Sequence, residues 1–301
     1  MARIYHHVFQ NDCTRQQLVI HHPTAGTAIS LATVPRLTLS LPRPQALRVA
    51  TNQSPSATRE PLCISNTYRQ RPIIPRGDIL IHAGDLTSDG SLAELQITLN
   101  WLQAQPHHVK IVVAGTYNRG TRRWRIGDLE RVYWGDIIYL EHQHVIVTCW
   151  NGRRLRIYGS RYSPMTIPSS AFQYPECDNI WDQIPDNMDV LITHTPPYTH
   201  RDSLGGCRHL LNQIWREPPH LHVVGCSLEN YGIEFLHYDA LQEAMERIEA
   251  VGGGFFNLLI VVKGFVQAIF RPDIKAKSLL VNACINGGLW DLEREPITVI
   301  M

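Results

Sequence analysis

Excess charge of either sign is absent from this sequence: 28 Lys and Arg stand against 27 Asp and Glu, a net of +1. Without a basic surplus there is no electrostatic footprint for a nucleic acid. Cysteine is sparse and unpatterned. There are seven, an odd number, and no two stand in C-x-x-C spacing. That argues against a disulfide framework and for a reducing, cytoplasmic setting. Long apolar runs are also missing. The opening residues, Met1-Ala2-Arg3-Ile4-Tyr5-His6-His7, carry no apolar h-region, so no secretory signal is expected. The longest apolar stretch runs from Phe255 to Phe270, about 16 residues broken by Asn257, Lys263 and Gln267. It is shorter than the ~20 residues of a membrane span. Its expected place is a core strand pair or a buried helix, with a lipid- or partner-facing patch as the minor reading. No internal repeat or low-complexity tract is present.

What is there suits a large core. The 301 residues are 44% hydrophobic, enough for one large domain, or for one domain with an appendage. Residues 1–60 mix short apolar runs with turn residues. Leu37-Thr38-Leu39-Ser40-Leu41 alternates like a strand, and 51–60 reads as a loop. This region is expected to be an N-terminal extension packed on the main domain, 61–301.

Beyond it the pattern becomes strand, loop, helix. Apolar runs over 78–83, 109–114, 154–158, 189–193 and 220–224 predict strands. Ser91-Leu92-Ala93-Glu94 has capping-box spacing, and Leu92, Leu95, Leu99 and Leu102 share a helical face. A second helix is predicted over 239–251, with Leu241, Met245 and Ile248 on one side and Gly252-Gly253-Gly254 as its stop.

Several of the strands end in short polar signatures. They are Cys63-Ile64-Ser65-Asn66-Thr67-Tyr68, His82-Ala83-Gly84-Asp85-Leu86, Ala114-Gly115-Thr116-Tyr117-Asn118, Thr193-His194-Thr195-Pro196-Pro197 and Val224-Gly225-Cys226-Ser227-Leu228. In order and spacing the chain resembles the calcineurin-like metallophosphoesterases from about Cys63 onward. It is most similar to the small metallophosphoesterase-domain subgroup of fungi and animals. The family pattern is D-x-H, G-D, G-N-H-D, T-H and G-H-x-H. The resemblance implies a four-layer α/β sandwich (αββα) with its ligands on loops at strand ends.

Carried over residue by residue, the family's ligand positions are mostly vacated. The D-x-H pair falls on Asn66 and Tyr68. The Asp of G-D is kept as Asp85. The Asn-His pair of G-N-H-D falls on Thr116 and Tyr117, and its Asp on Asn118. The T-H histidine is kept as His194, and the G-H-x-H pair falls on Cys226 and Leu228. Two-metal catalysis needs two cations roughly 3.5–4 Å apart, each with several ligands. One Asp and one His do not supply them, so no metal or other cofactor is expected.

The replacements are neutral and in part aromatic. Tyr68 and Tyr117 would give flat faces with phenolic donors. Arg69 and Arg119 follow two of the signatures, and Arg161 stands where the subgroup usually has Pro. These guanidinium groups would either neutralise Asp85 or grip a substrate carboxylate. His194 is read either as a general base or as a partner of Asp85. The other histidines, among them His107, His108, His142, His144 and His200, are expected at the surface.

Three functions follow. The first is a metal-independent enzyme that cyclises an organic natural-product intermediate, a [4+2] cycloaddition being one such reaction, by positioning and hydrogen bonding. Its catalytic set would be Tyr68, Tyr117, His194 and Asp85. Asn66, Arg69, Thr116, Asn118, Arg119, Arg161, Cys226 and Leu228 would line the substrate. The second is a non-catalytic pseudophosphatase that binds a ligand or a protein. The third is a residual metal-dependent phosphoesterase. A well-formed, closed apolar pocket would favour the first, an exposed apolar patch with a filled cleft the second, and a bound metal the third.

Overall fold

A computed structural model describes residues 61–115, 128–165, 172–201, 206–225, 228–251, 255–270, 277–286 and 294–301. These belong to one unit, Ala57–Met301. The expected extension over 1–60, with its strand and loop, lies outside the described residues.

In chain order the elements are β1 (Pro61–Ile64), β2 (Ile79–Ala83), α1 (Leu92–Gln103), β3 (Val109–Val113), β4 (Ile137–Tyr139), β5 (Gln143–Thr148), β6 (Arg154–Ser160), β7 (Ser163–Pro164), β8 (Gln173–Tyr174), β9 (Val190–Thr193), α2 (Arg208–Arg216), β10 (Leu221–Val224), β11 (Gly232–His237), α3 (Ala240–Val251), α4 (Phe255–Phe270), β12 (Lys277–Asn282) and β13 (Ile297–Thr298). One sheet has the order β13-β1-β2-β3-β4, and a second has the order β11-β12-β10-β9-β6-β5. Strands β1 to β4 run parallel, as do β6, β9, β10 and β12. The apolar sequences of β1, β2, β3, β9 and β10 fit strands buried on both faces.

Three clusters of buried side chains give the layering. Ile81, Ile111 and Val113 of the first sheet meet Ile157, Ile192 and Val223 of the second. The other face of the first sheet, with Leu62, Leu80 and Val112, is covered by Leu95, Leu99 and Leu102 of α1. The other face of the second sheet, with Tyr158, Leu191 and Leu280, is covered by Leu210, Leu211 and Ile214 of α2. The order is therefore helix, sheet, sheet, helix, as the resemblance implies. Each fully buried leucine of α1 contributes about 1.5–3 kcal/mol.

Local details depart from the sequence expectations. Ser91 caps α1 by accepting from the Glu94 amide at 3.1 Å. Glu94 does not complete the box by reaching back to Ser91. Its carboxylate instead accepts from the Ser88 and Asp89 amides at 3.0 and 2.8 Å and from the Ser88 hydroxyl at 2.6 Å. It thereby ties down the loop that follows Asp85.

Helix α3 is capped by Asp239, whose side chain accepts from the amides of Leu241 and Gln242. Among its described side chains Ala244 and Glu246 are buried, Leu241 and Ile248 are half-buried, and Met245 is exposed. Of the predicted face, Met245 thus points to solvent. The Gly252-Gly253-Gly254 stop lies outside the described residues. The stretch Phe255–Phe270 is neither a strand pair nor a buried helix. It is a helix that leaves Phe255, Phe256, Leu258, Leu259, Val262, Phe265 and Val266 exposed. No described helix is long and apolar enough to cross a membrane.

Candidate functional site

Parallel order brings the C-terminal ends of β1, β2 and β3 to one edge of the first sheet, and those of β6, β9 and β10 to one edge of the second. The signatures follow those ends. Asn66 comes just after β1, Asp85 after β2, Gly115 after β3, Arg161 after β6, His194 after β9 and Gly225 after β10. The Ser65 amide bonds the Ala283 carbonyl beyond β12 at 2.8 Å, and the Gly225 amide bonds His194 at 3.1 Å, which locks the loops to one another.

Asp85 is the centre. Its Oδ2 accepts from Asn66 Nδ2 at 2.9 Å and from the Tyr68 hydroxyl at 3.1 Å. Asn66 Nδ2 also lies 3.1 Å from the Tyr68 hydroxyl. Asp85 Oδ1 lies 3.2 Å from His194 Nε2. Asn66, Asp85 and His194 are buried, and Tyr68 is half-buried. Burial first, and then the Asp85 charge, push the Tyr68 phenol well above its ordinary range, so it remains a donor at neutral pH.

His194 Nδ1 lies 2.9 Å from the Ala83 carbonyl. A carbonyl only accepts, so the proton sits on Nδ1. Nε2 can then donate to Asp85 only as imidazolium. Neighbouring His82 stays neutral: its Nδ1 accepts from the Gly84 amide at 3.3 Å and its Nε2 meets Thr67 at 2.9 Å. Burial, followed by the nearby His194 and Arg71, lowers it to about 3.

The backbone around Asp85 is unusual. Asn66, Tyr68 and Asp85 have φ of 54°, 45° and 57°. Asn and Asp tolerate this left-handed region, but a bulky Tyr does so at a cost of order 1–3 kcal/mol. Two glycines make the close approach possible. A Cβ at Gly115 would lie 2.2 Å from Asp85 Oδ1, and one at Gly225 would lie 2.3 Å from the Ala83 carbonyl.

The structure thus joins Asn66, Tyr68, Asp85 and His194. It does not bring the two described arginines onto Asp85. Arg69 is exposed and pairs with Asp89 at 3.7 Å and Glu94 at 3.4 Å. Arg161 is buried, paired with Glu141, bonded to the Tyr139 hydroxyl at 3.2 Å and stacked over Phe172 at 4.1 Å. Leu228 is half-buried, and its carbonyl accepts from Arg294 at 2.5 Å, not from the Asp85 cluster. Thr116, Tyr117, Asn118, Arg119 and Cys226 lie outside the described residues.

Sequence reasoning missed the Ala83 carbonyl that orients His194 and the close approach that the two glycines allow. Such contacts across strands have no local signal. The histidine expectation also needs correction. His107 and His200 are buried and His142 is half-buried, whereas His108 and His144 are exposed. His200 sits between Glu234 and Glu246, 2.9 Å from each. Burial alone would lower it, but the two carboxylates outweigh that and push it up to about 9.

The chain matches no protein-family model. It is 38% identical over 245 residues to a protein of Emericella nidulans named "Probable rhamnogalacturonate lyase C", covering 77% of this chain and 23% of that protein. It is 33% identical to human "Metallophosphoesterase domain-containing protein 1" over 57% of this chain and 61% of the relative. With "UPF0046 protein C25E10.12" of Caenorhabditis elegans it shares 30% identity, covering 57% of this chain and 69% of that protein. The chain belongs to this metallophosphoesterase-domain (UPF0046) family. It spans about a quarter of the lyase-named relative and about three-fifths of the human one.

The family's chemistry implies a two-metal centre, and the described residues of this member do not fit one. Among them no three His, Cys, Asp or Glu side chains stand together as metal ligands. Two hydrogen-bond donors, from Asn66 and Tyr68, point at Asp85 Oδ2, where a cation would need a lone pair. His194 keeps the orientation of a metal-binding imidazole, with Nδ1 on a carbonyl. Asp85 and His194 alone fall short of the ligand number two ions require.

Proposed function

We propose that this protein is a metal-independent member of its family, and that its remodelled site binds a ligand or a protein instead of hydrolysing phosphoesters. The observation that carries this is the double acceptance by Asp85 Oδ2 from Asn66 and Tyr68. Donors stand where ligands would have to be, and the carboxylate is stabilised by those two hydrogen bonds without an ion. Asn66, Asp85 and His194 are buried against one another, and an exposed apolar helix is present in the same chain. That combination favours a pseudophosphatase.

A second reading draws on the backbone. The left-handed conformation of Tyr68 places strain beside Asp85, and such strain is found where function holds it. On this reading the half-buried Tyr68 offers its donor to an organic substrate, and cyclisation proceeds by positioning and hydrogen bonding.

Metabolite comparison between a gene knockout and its parent separates the two. An unchanged profile supports binding; a lost cyclised product, with its open precursor accumulating, supports the enzyme. Metal-stimulated hydrolysis of a generic phosphomonoester by the purified chain, lost in His194→Ala, would sink both.

A further inference from the structure

Helix α4 places its side chains against the usual rule. Phe255, Phe256, Leu258, Leu259, Ile260, Val262, Phe265 and Val266 are each 36–80% exposed. Winding at 100° per residue, these positions cover an arc of about 220°. The buried Gly264 lies opposite the arc, where a Cβ would come within 3.0 Å of the Ala240 carbonyl and Leu241 Cα. That glycine seats α4 on the start of α3. Lys263, itself exposed, is the one charged residue of Phe255–Phe270.

We propose that α4 docks the protein on an anionic lipid surface, lying in the interface without crossing it. Sixteen residues extend about 24 Å, short of the ~30 Å hydrocarbon core. The width of the arc selects lipid over a protein partner. A packed helix covers a stripe of little more than 100°, which would leave half of these side chains in water. Acyl chains wet the whole arc.

Charge points the same way. Lys263 lies beside the midpoint of the helix and inside the arc. In a two-fold dimer through this face, the two Lys263 ammonium groups would meet near the axis. At a membrane the flexible stem carries the ammonium up to the headgroups, and no carboxylate in the helix opposes an anionic surface.

The test is co-sedimentation of the full chain with vesicles of phosphatidylcholine alone and with about a third phosphatidylserine. The wild type should partition to the mixed vesicles at least about tenfold better than a Phe256→Ser/Val262→Ser variant of unchanged melting temperature. Lys263→Gln should weaken binding to the anionic vesicles about fivefold, and added salt should do the same. If the double variant fails to fold, Lys263→Gln and the salt dependence decide alone. Absence of wild-type sedimentation with both vesicles overturns the proposal. So does a dimer in sedimentation velocity that Phe256→Ser/Val262→Ser converts to monomer without altering vesicle binding.

Discussion

The Asp85 cluster and helix α4 break the ordinary rule of burial in opposite directions. The first places a carboxylate, an amide and an imidazole at 0–5% exposure and ties them to one another, while the Asn66 Oδ1 acceptor stays buried without a hydrogen bond. The second places eight large apolar side chains in water with a single charge among them. Burying a charge costs several kcal/mol unless it is paired and hydrogen-bonded. Exposing apolar surface costs about 25 cal/mol per Å². The first cost is met inside the chain by the donors of Asn66 and Tyr68. The second is met only by something outside α4. One region is therefore held from within, and the other calls for a surface to meet.

The sharpest way to break this contrast is to crowd the Asp85 cluster. Gly115→Ala puts a Cβ within 2.8 Å of Asp85 and His194 and should lower stability by about 3 kcal/mol or more, read from the urea midpoint. An unchanged midpoint would mean the cluster is loosely held.

A comparable effect is expected at His200, whose raised pKa makes folding pH-dependent. A group lifted from 6.5 to about 9 stabilises fully below pH 6.5, and that contribution fades as pH rises through 9. It is worth about 3 kcal/mol. Thermal melts from pH 6 to 10 should show the loss in the wild type and not in His200→Gln.

Tyr68→Phe removes a hydrogen bond to a carboxylate and should cost about 1.5–3 kcal/mol. Part of that is returned because Asn66 still donates to the same oxygen. The smallest effect should come from α4. Phe256→Ser, at 80% exposure, should shift stability by no more than about 0.5 kcal/mol and should raise solubility.

The sequence showed the frame more readily than the site. Strand ends and the α1 face were legible because apolar runs and 3.6-residue spacing are local signals. Asp85 and His194 were legible through their signatures, and Asn66 and Tyr68 through what they replaced. The roles of Arg69 and Arg161 were not legible. Glu94 and Glu141 reach them through the fold, and a neighbour in sequence, here Arg69 beside Tyr68, need not be a neighbour in space. His200 was misplaced for the same reason, since its carboxylates come from β11 and α3. Helix α4 was misread because an apolar run is ordinarily core, and burial depends on what packs against a helix, not on its composition.

The Asp85 site is expected to stand without a metal. Dialysis against manganese or zinc, followed by elemental analysis of wild type and Asp85→Ala, tests it directly. The expected result is well under one equivalent bound in both, with the same trace in each. About one tightly held equivalent in the wild type, lost in Asp85→Ala, would contradict it.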